Sequence, residues 1–458
     1  MHWSRAISAF ATAALVVILA APEARAVPSF SRQTDTPCEG CHAGGFYPEL
    51  TNFGRMFKMN GYIWSAHEQK PYEPYPPVAA AQEWSFTHTD KSQPAAERLP
   101  TVGWANKGNN NFSYPQQASF FLAGRYYGRL GGFIMGTYSG VDDKWVTDNV
   151  DVRLSDLRTI GEHHKLLYGL TFNNGPSVQD SWNTLPAWNQ LVGSEVAPGP
   201  AAATSMGNLI SQVAGVGAYG AWDDFLYAEI TPYISARKGV MSFITAGDPK
   251  ETITDGVSPY GRLVLYKNQG SHSFSLGGVG LYDKIHQEGS HGASNDFLDL
   301  GADMQYQWNS KPHFVTVRTA FMWENQGLSA ARAAGAATRN TAGLHTLQLW
   351  LSYYWYNTTG LTLSLFDSDG SKDHLLYAAA PVEGSRTGSP NTYGGFVQLN
   401  FLPFARWFHQ EWPALPMTQL ALQYTFYGKF NGASSNYDGA GRNASDNNTF
   451  YLLVWTPW

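Results

Sequence analysis

The chain has 458 residues, of which 14% are charged and 14% aromatic, with 46 glycines and a formal net charge of -6. Ordinary soluble domains carry about a quarter charged residues, and disordered chains lack this apolar and aromatic content. The balance of charges and the absence of a basic block exclude a basic nucleic-acid-binding protein, so no nucleic-acid partner is expected. Past the first thirty residues, no run of about 18 apolar residues predicts a transmembrane helix, and the composition favours a membrane β-barrel.

The N-terminus has the three parts of an export signal. Residues 1–5 are basic, residues 6–21 are apolar, and Ala24-Arg25-Ala26 is a cleavage site of small residues. This pattern predicts a secretory signal peptide at residues 1–26, cut after Ala26, with an uncleaved signal anchor as the alternative. The mature protein is therefore expected outside the cytoplasm.

Both cysteines of the chain belong to the pentapeptide Cys38-Glu39-Gly40-Cys41-His42. This is the C-x-x-C-H signature of covalent c-type heme attachment. Two thiols at this spacing reach the two vinyl groups of one porphyrin, and the adjacent imidazole reaches the iron. We predict one covalent heme c, with thioether bonds from Cys38 and Cys41 and with His42 as the proximal iron ligand.

Three other uses of the two cysteines stay open. A thioredoxin-like redox pair would need a surrounding βαβ pattern, and a zinc site would need further Cys or His ligands at short spacing. A strained disulfide is compatible with an oxidising compartment. Heme is favoured because a chain with 2 cysteines and 13 histidines rarely forms C-x-x-C-H by chance.

A short helix is predicted after the heme motif, because residues 48–61 begin with proline and end with glycine. Within it, Leu50, Phe53 and Phe57 recur at i, i+3 and i+7, a stripe that suits either a porphyrin face or ordinary core packing. The segment from residue 27 to about 62 is too small to fold without a staple. Heme supplies the staple, and the surface left exposed needs another part of the chain to cover it.

The sequence leaves the second axial ligand of the iron open. A methionine would raise the reduction potential relative to a second histidine. The candidates are Met56, Met59, His67 and His88, of which Met59 is preferred, and a vacant position is a further alternative. Each methionine is also explained by packing on a helix face.

A proline-rich stretch, residues 71–80, is predicted to be an extended linker that follows the heme segment at residues 27–70. From residue 81 onward, aromatic and β-branched segments alternate with turn-forming clusters. We find about sixteen segments, an even number typical of bacterial barrels. The predicted fold of residues 81–458 is an all-β, transmembrane antiparallel barrel of about 16 strands, with the small helical heme segment acting as a plug.

The connections support a barrel because bacterial barrels have short periplasmic turns and longer outer loops. Long connections are expected near 91–115, 174–209, 246–257, 285–296, 327–344, 369–391 and 431–447, and tight ones near 131, 161, 223, 270, 311 and 359. The connection 403–416 is long where a short turn is expected. The last segment, residues 450–458, is predicted to be the closing strand, with Phe450, Leu452 and Val454 facing lipid.

The residues around the pentapeptide resemble a known family. The resemblance is carried by residues 27–34, the pentapeptide itself, residues 46–51, Phe53-Gly54-Arg55 and residues 57–62, with a tryptophan-bearing loop at 181–188 in the barrel. These segments are similar to the fused monoheme cytochrome-porins of the outer membrane, whose best-known members oxidise extracellular Fe(II). Outside the heme segment, the barrel resembles that family in size and texture.

The resemblance implies an electron-transfer function in the bacterial outer membrane. The heme, held in the lumen or on the periplasmic side, would take electrons from extracellular Fe(II) and pass them to a periplasmic c-type cytochrome. Arg32, Arg55 and Lys58 are candidate partners for the heme propionates. Two rival functions stay open: a solute porin with a heme-bearing plug for gating or sensing, and an oxidoreductase for another extracellular electron donor.

Loop carboxylates are candidates for guiding iron, since carboxylates suit a hard divalent cation. Solvated loop charge explains each of them as well. The candidates are Asp142, Asp143, Asp148, Glu251, Asp369 and Asp373.

Overall fold

The computed structural model describes residues 28–45, 48–67, 70–94, 108–188, 193–235, 254–286, 292–404 and 418–458. In these ranges sixteen strands pair antiparallel with their neighbours, and β1 pairs with β16 to close a barrel. The predicted barrel is confirmed. No described helix is long and apolar enough to cross a membrane. The predicted signal peptide lies outside the described residues.

The strands run through the chain in simple meander order. They are β1 (Val78–Thr89), β2 (Asn110–Tyr127), β3 (Leu130–Ser139), β4 (Lys144–Ile160), β5 (His164–Asn173), β6 (Val213–Trp222), β7 (Leu226–Ser235), β8 (Ser258–Gln269), β9 (His272–His286), β10 (Ser294–Ser310), β11 (His313–Gly327), β12 (Thr341–Trp355), β13 (Thr359–Gly370), β14 (Thr392–Phe401), β15 (Gln419–Lys429) and β16 (Thr449–Pro457). The first three residues of β1 come from the stretch predicted to be linker.

Period-two alternation explains why these segments form the wall of a barrel. In β12, every second side chain is apolar and exposed on the outside: Leu347, Leu349, Leu351, Tyr353 and Trp355. Trp350, Ser352 and Tyr354 of the same strand are buried on the inside. The closing strand β16 follows the same rule, since Phe450 is exposed and Tyr451 and Leu453 are buried. The predicted outward face of this strand is confirmed.

The barrel has two unlike ends. At the terminal end, where β1 begins and β16 ends, short turns join the strands at 128–129, 161–163, 223–225, 270–271, 311–312 and 356–358. The exception is the connection from β14 to β15, which is long as expected, and whose residues 405–417 lie outside the described ranges. At the opposite, loop end, a tight turn at 140–143 joins β3 to β4 among the longer loops, and the loop prediction had missed it.

Three short helices form the N-terminal segment: α1 (Pro28–Thr34), α2 (Cys38–Cys41) and α3 (Asn52–Met59). Helix α3 begins after Thr51, whose hydroxyl accepts a hydrogen bond from the Gly54 N–H at 3.2 Å. It ends before Gly61, which has a φ of 64° that favours glycine. The predicted start at residue 48 is wrong by four residues, because Thr51 is the N-cap.

The predicted apolar stripe is wrong for the same reason. Leu50 lies before the helix and is buried, whereas Phe53 is exposed with its ring edge-on to Trp64 at 5.3 Å. Phe57 points elsewhere and packs edge-on against Phe30 at 5.1 Å. The three side chains therefore serve different contacts and do not share one face.

The N-terminal segment lies inside the barrel near the terminal end, and we call its described residues 28–45 and 48–64 the plug. A second segment fills the lumen beside it: residues 174–188 and 193–212 of the connection between β5 and β6, which we call the inward loop. It contains the short helix α4 (Ser205–Asn208). Residues 177–185 of this loop are all buried. The remaining described helix, α5 (Ser329–Ala333), follows β11 at the loop end.

Candidate functional site

The heme motif is held by the first turn of α3. In the one-turn helix α2, the backbone N–H of His42 donates to the Cys38 carbonyl at 2.7 Å. The Thr51 hydroxyl donates to the Gly40 carbonyl at 2.6 Å, and the Thr51 N–H donates to the Cys41 carbonyl at 2.9 Å. Thr51 therefore caps α3 and fixes the pentapeptide at the same time.

Glycine at position 54 permits this close approach. A Cβ atom there would lie 2.2 Å from the carbonyl oxygen of Cys41, a backbone atom that has no room to yield. Any side chain would push α3 away from the heme motif. This explains why Gly54 stands in the middle of a helix, where glycine otherwise costs stability.

A cavity of about 850 Å³ lies in the lumen above the plug. Cys38, His42 and Gly45 of the plug line it, together with residues of the inward loop and of the wall. This volume falls within the range of about 300–1,000 Å³ that is usual for cofactor and small-molecule sites. Two thiols on one helical turn, a neighbouring imidazole and a lumen cavity of this size fit a covalent heme c.

The protonation of the motif is that of a ligand set rather than a redox pair. Burial lowers the pKa of His42 to about 4, offset in part by the Glu49 backbone carbonyl, so its imidazole is neutral and suited to binding a metal. Burial raises the pKa of Cys41 to about 12, whereas a catalytic thiol pair needs a lowered pKa. Both cysteines are thiols. Within the described residues, no group of three or more His, Cys, Asp or Glu side chains is arranged to hold a metal ion.

The three predicted propionate partners anchor the plug to its surroundings. Arg55 is buried and donates to Ser273 at 2.6 Å, to Gln307 at 3.1 Å and also to Gln305. Burial lowers its pKa to about 10. None of the three predicted partners is among the described residues that line the cavity.

Lys58 and Arg32 act in the same way at other points. The Lys58 ammonium donates to the backbone carbonyls of Val178 at 3.1 Å and Asp180 at 2.7 Å, and lies 4.2 Å from the centre of the Trp188 ring. Burial lowers its pKa to about 7, against the opposing effect of nearby carboxylates. Arg32 donates to the Val78 carbonyl at 2.6 Å, where the plug joins β1.

The candidate axial ligands lie away from the cavity. Met59 is buried in a cluster with Leu167, Trp182 and Tyr227, and Met56 packs against the same cluster. His67 Nε2 lies 2.7 Å from the Arg32 carbonyl oxygen, and His88 Nδ1 lies 2.8 Å from the Asn110 side-chain oxygen. Ligation by Met59 therefore stays a prediction that would require the side chain to leave its cluster.

One sulfur-containing side chain at the cavity, that of Met135, was not predicted from the sequence. Met135 on β3 lines the cavity together with Phe121 and Phe133. No pattern in the sequence singles it out, because it stands in a strand far along the chain from the heme motif.

One half of the lumen is packed with ion pairs. We call it the packed half; it lies between the plug, the inward loop and β4–β12. Arg262 lies 3.1 Å from Asp180 of the inward loop and 2.9 Å from Asp303, and all three side chains are buried. Arg153 pairs with Asp151 at 2.9 Å, and Arg318 joins the wall to the plug.

The plug's own carboxylate is part of this packing. Glu49 lies 3.2 Å from Arg318 and accepts hydrogen bonds from the Ser352 hydroxyl at 2.9 Å and from the Tyr354 hydroxyl at 3.0 Å. Because buried charges are costly unless paired, these contacts fix where the plug sits.

The other half of the lumen contains the cavity, and we call it the open half. Its cavity is lined by residues of β1–β4, β12, β13, β15 and β16. Its charged lining residues are all acidic: Glu83, Asp148, Glu195 and Asp367. No lysine or arginine occurs among the described residues of this lining. Burial raises the pKa of Glu195 on the inward loop to about 7; a bond from Gln117 lowers it, and Asp142 and Asp148 add to the increase.

Of the carboxylates predicted to guide iron, only Asp148 lines the cavity. Asp142 pairs with Lys144 at 3.4 Å, Asp143 accepts a bond from the Tyr138 hydroxyl, and Asp369 accepts one from Asn391. Asp373 is buried, which opposes ionisation, yet hydrogen bonds from backbone N–H groups of Leu375, Leu376 and Thr338 lower its pKa to about 2. Glu251 lies outside the described residues. The structure does not bring the five described carboxylates together at one place.

Several solved outer-membrane channels are similar to the barrel in architecture. An anion-selective porin from Comamonas acidovorans covers 83% of this chain and 97% of its own, at 12% identity and a TM-score of 0.44. The channel DcaP of Acinetobacter baumannii covers 83% of this chain and 96% of its own, at 10% identity and a TM-score of 0.45. OmpT of Vibrio cholerae covers 85% of this chain and 100% of its own, at 9% identity and a TM-score of 0.41. Likeness at this level carries no function over to this chain.

No protein-family model matches the chain, and no curated protein matches it in sequence.

Proposed function

We propose that this chain is an outer-membrane cytochrome-porin that carries one covalent heme c in its lumen. Through this heme it would take electrons from extracellular Fe(II) and pass them to a periplasmic c-type cytochrome. The observation that carries the proposal is that Cys38 and His42, from the C-x-x-C-H motif, line a cavity inside a closed barrel. Ferric iron is poorly soluble near neutral pH, so an oxidase gains by leaving its product outside.

The outer surface of the barrel supports a place in a membrane. Its exposed side chains are large and apolar along many strands, including Leu170, Val216, Ile230, Leu263 and Leu276. Exposed aromatic side chains occur near both rims, with Trp145 at the loop end and Tyr127 and Trp355 at the terminal end. Such apolar bands with aromatic girdles are typical of outer-membrane barrels. Because short turns face the periplasm in these proteins, we assign the terminal end, with its plug, to that side.

When bound, heme c supplies reversible one-electron chemistry at its iron. Cys38 and Cys41 would bind it covalently, and His42 would ligate the iron as a neutral imidazole. The Glu49 carbonyl beside His42 would orient the ring, in the manner of outer partners that orient ligating histidines. Arg55 and Lys58 hold α3 against the wall and the inward loop, and so keep the motif at the cavity.

Covalent heme attachment is tested by producing the full chain in a bacterium that matures c-type cytochromes. After denaturing electrophoresis, we expect a heme stain at the size of the mature protein in the wild type. A variant with Cys38→Ala and Cys41→Ala should lose the stain, and Met135→Leu, which leaves both thiols in place, serves as the control. An unstained wild type would refute the proposal at its first step.

The electron donor is tested with purified protein in detergent. We expect Fe(II) to reduce the heme, seen as the ferrous absorption bands, and oxidised periplasmic cytochrome c to reoxidise it. Reduction by dithionite but not by Fe(II) would point to another extracellular donor.

The cavity beside the plug favours one rival, the solute porin. Liposome swelling decides between them: solute flux that is equal in the wild type and in the double cysteine variant, without reduction by Fe(II), would support the porin.

A further inference from the structure

Within the described residues, the arginine and lysine side chains of the lumen do not line the cavity. In the packed half, Arg262 and Arg318 are paired with carboxylates. The described lining of the cavity has four carboxylates and no cation to balance them. Three of these, Glu83, Asp148 and Glu195, come from β1, β4 and the inward loop.

Side-chain hydrogen bonds hold two of these carboxylates in place. Gln116 donates to Glu83 at 3.4 Å, while Gln117 and Ser139 donate to Glu195. The Cα atoms of Glu83, Gln117 and Ser139 are aligned across β1, β2 and β3. A row of neutral amide and hydroxyl donors therefore holds the carboxylates in place without cancelling their charge.

The carboxylates share their cavity with the proposed site of heme attachment. Cys38 and His42 line the same cavity as Glu83, Asp148 and Glu195. Because no described lining residue is basic, a heme here would also find no cationic partner for its propionates. Its own two carboxylates would add to the negative potential.

We propose that Glu83, Asp148 and Glu195 lower the reduction potential of the heme by stabilising its ferric state. This inference rests on the proposed function, because it needs heme c in this cavity. The physical reason is that the ferric heme carries one more positive charge than the ferrous heme. A carboxylate about 10 Å away at an effective dielectric constant of about 20 favours the ferric form by roughly tenfold, and solvent in the cavity reduces this to a few fold.

The same geometry makes the potential depend on pH. Glu195 titrates near neutrality, and the groups that face it are Asp142, Asp148, Glu83 and the amide of Gln117. When Glu195 loses its proton as the pH rises, the cavity becomes more negative and the potential falls. Replacing Glu195 by glutamine removes this step and keeps a hydrogen-bonding side chain of the same size.

The test is a redox titration of the purified, heme-loaded protein, followed by heme absorption at several pH values. We expect Glu195→Gln and Glu83→Gln each to favour the ferrous form a few fold at pH 9. The double variant should approach tenfold, which corresponds to 59 mV for one electron. Glu195→Gln should also flatten the pH dependence around pH 7. Glu162→Gln is the matched control, since this exposed residue lies in a turn at the terminal end, away from the cavity.

The outcomes separate this inference from the function on which it rests. A protein without covalent heme refutes the proposed function before any potential is measured. A heme-bearing protein whose potential stays unchanged in both single variants and in the double variant refutes the inference and leaves heme attachment standing. An equal shift in Glu162→Gln also refutes it, because the effect would then not come from the cavity.

Discussion

The two halves of the lumen use polar residues for opposite purposes. In the packed half, ion pairs are buried, as in the group of Asp180, Arg262 and Asp303. In the open half, carboxylates such as Glu83 and Glu195 are held by neutral side chains. One half therefore fixes the position of the plug, and the other would set the potential of the proposed heme.

The basic residues of α3 lie near the heme motif but contact the packed half of the lumen. Arg55 and Lys58 stand close to the motif in sequence, but α3 turns them towards the wall and the inward loop. A buried cation needs several acceptors, and the wall of the packed half supplies them to Arg55 from Ser273 and Gln307. Proximity along the chain is a poor guide when the neighbouring structure supplies the partners.

The largest expected effect breaks the packed half at its centre. Arg262→Met leaves Asp180 and Asp303 buried without a cation, so we expect a loss of about 3–5 kcal/mol in the free energy of unfolding. Urea unfolding in detergent, followed by tryptophan fluorescence, measures it. Arg158→Met is the control, because its pair with Asp156 is exposed, and it should have no measurable effect. Equal results for the two arginines would mean that the buried group does not hold the structure.

Substitutions of Met59 distinguish a packing role of this side chain from ligation of the heme iron. Met59→Ala leaves a void among Leu167, Trp182 and Tyr227, and should cost about 2–5 kcal/mol of stability in the same assay. Met59→Leu keeps the volume and should cost less than about 1.5 kcal/mol. Heme absorption of Met59→Leu answers the second question, because a changed spectrum at unchanged stability would identify Met59 as an axial ligand.

A substitution of Gly54 tests the close contact between α3 and the heme motif. Gly54→Ala places a Cβ atom against the Cys41 carbonyl, so we expect a loss of about 1–3 kcal/mol and less heme-stained protein. Gly261→Ala in β8 is a matched control, since its Cβ would have its nearest neighbour at 3.7 Å. Full heme incorporation in Gly54→Ala would contradict the tight contact.

A pair of substitutions on one strand gives the smallest effect and the sharpest comparison. Ser352 of β12 donates to Glu49 of the plug, whereas Thr346 of the same strand lines the cavity. Ser352→Ala should cost about 1.5 kcal/mol, the usual value for a hydrogen bond to a charged group. Thr346→Ala should change stability by less than about 0.5 kcal/mol. The reverse order would place the structural contacts in the wrong half.

The barrel was predictable because its signal is repeated along the chain. In β12 and β16, apolar side chains recur at every second position, and the alternation of short and long connections gives the direction of the strands. Helix α3 was less predictable, since Pro48 and Thr51 both signal a start and the hydroxyl of Thr51 prevails as a cap.

The residues that line the cavity could not be predicted from the sequence, for a different reason. Glu83 and Glu195 come from β1 and from the inward loop, and only the closure of the barrel makes them neighbours. No spacing rule connects such residues. By contrast, Cys38, Cys41 and His42 lie within one helical turn and the next residue, so local spacing alone predicts that they act together.

The long-range anchoring of the plug has a consequence for assembly. Arg55 bonds with Gln305 and Glu49 with Ser352, so these contacts join residues separated by 250 and 303 positions. Such distant contacts form slowly, because the entropy of closing the intervening loop must be lost first. The N-terminal segment therefore lacks these two anchors until β10 and β12 have joined the wall. The beginning of the mature chain is expected to reach its native position only after strands that lie about 250 or more residues later.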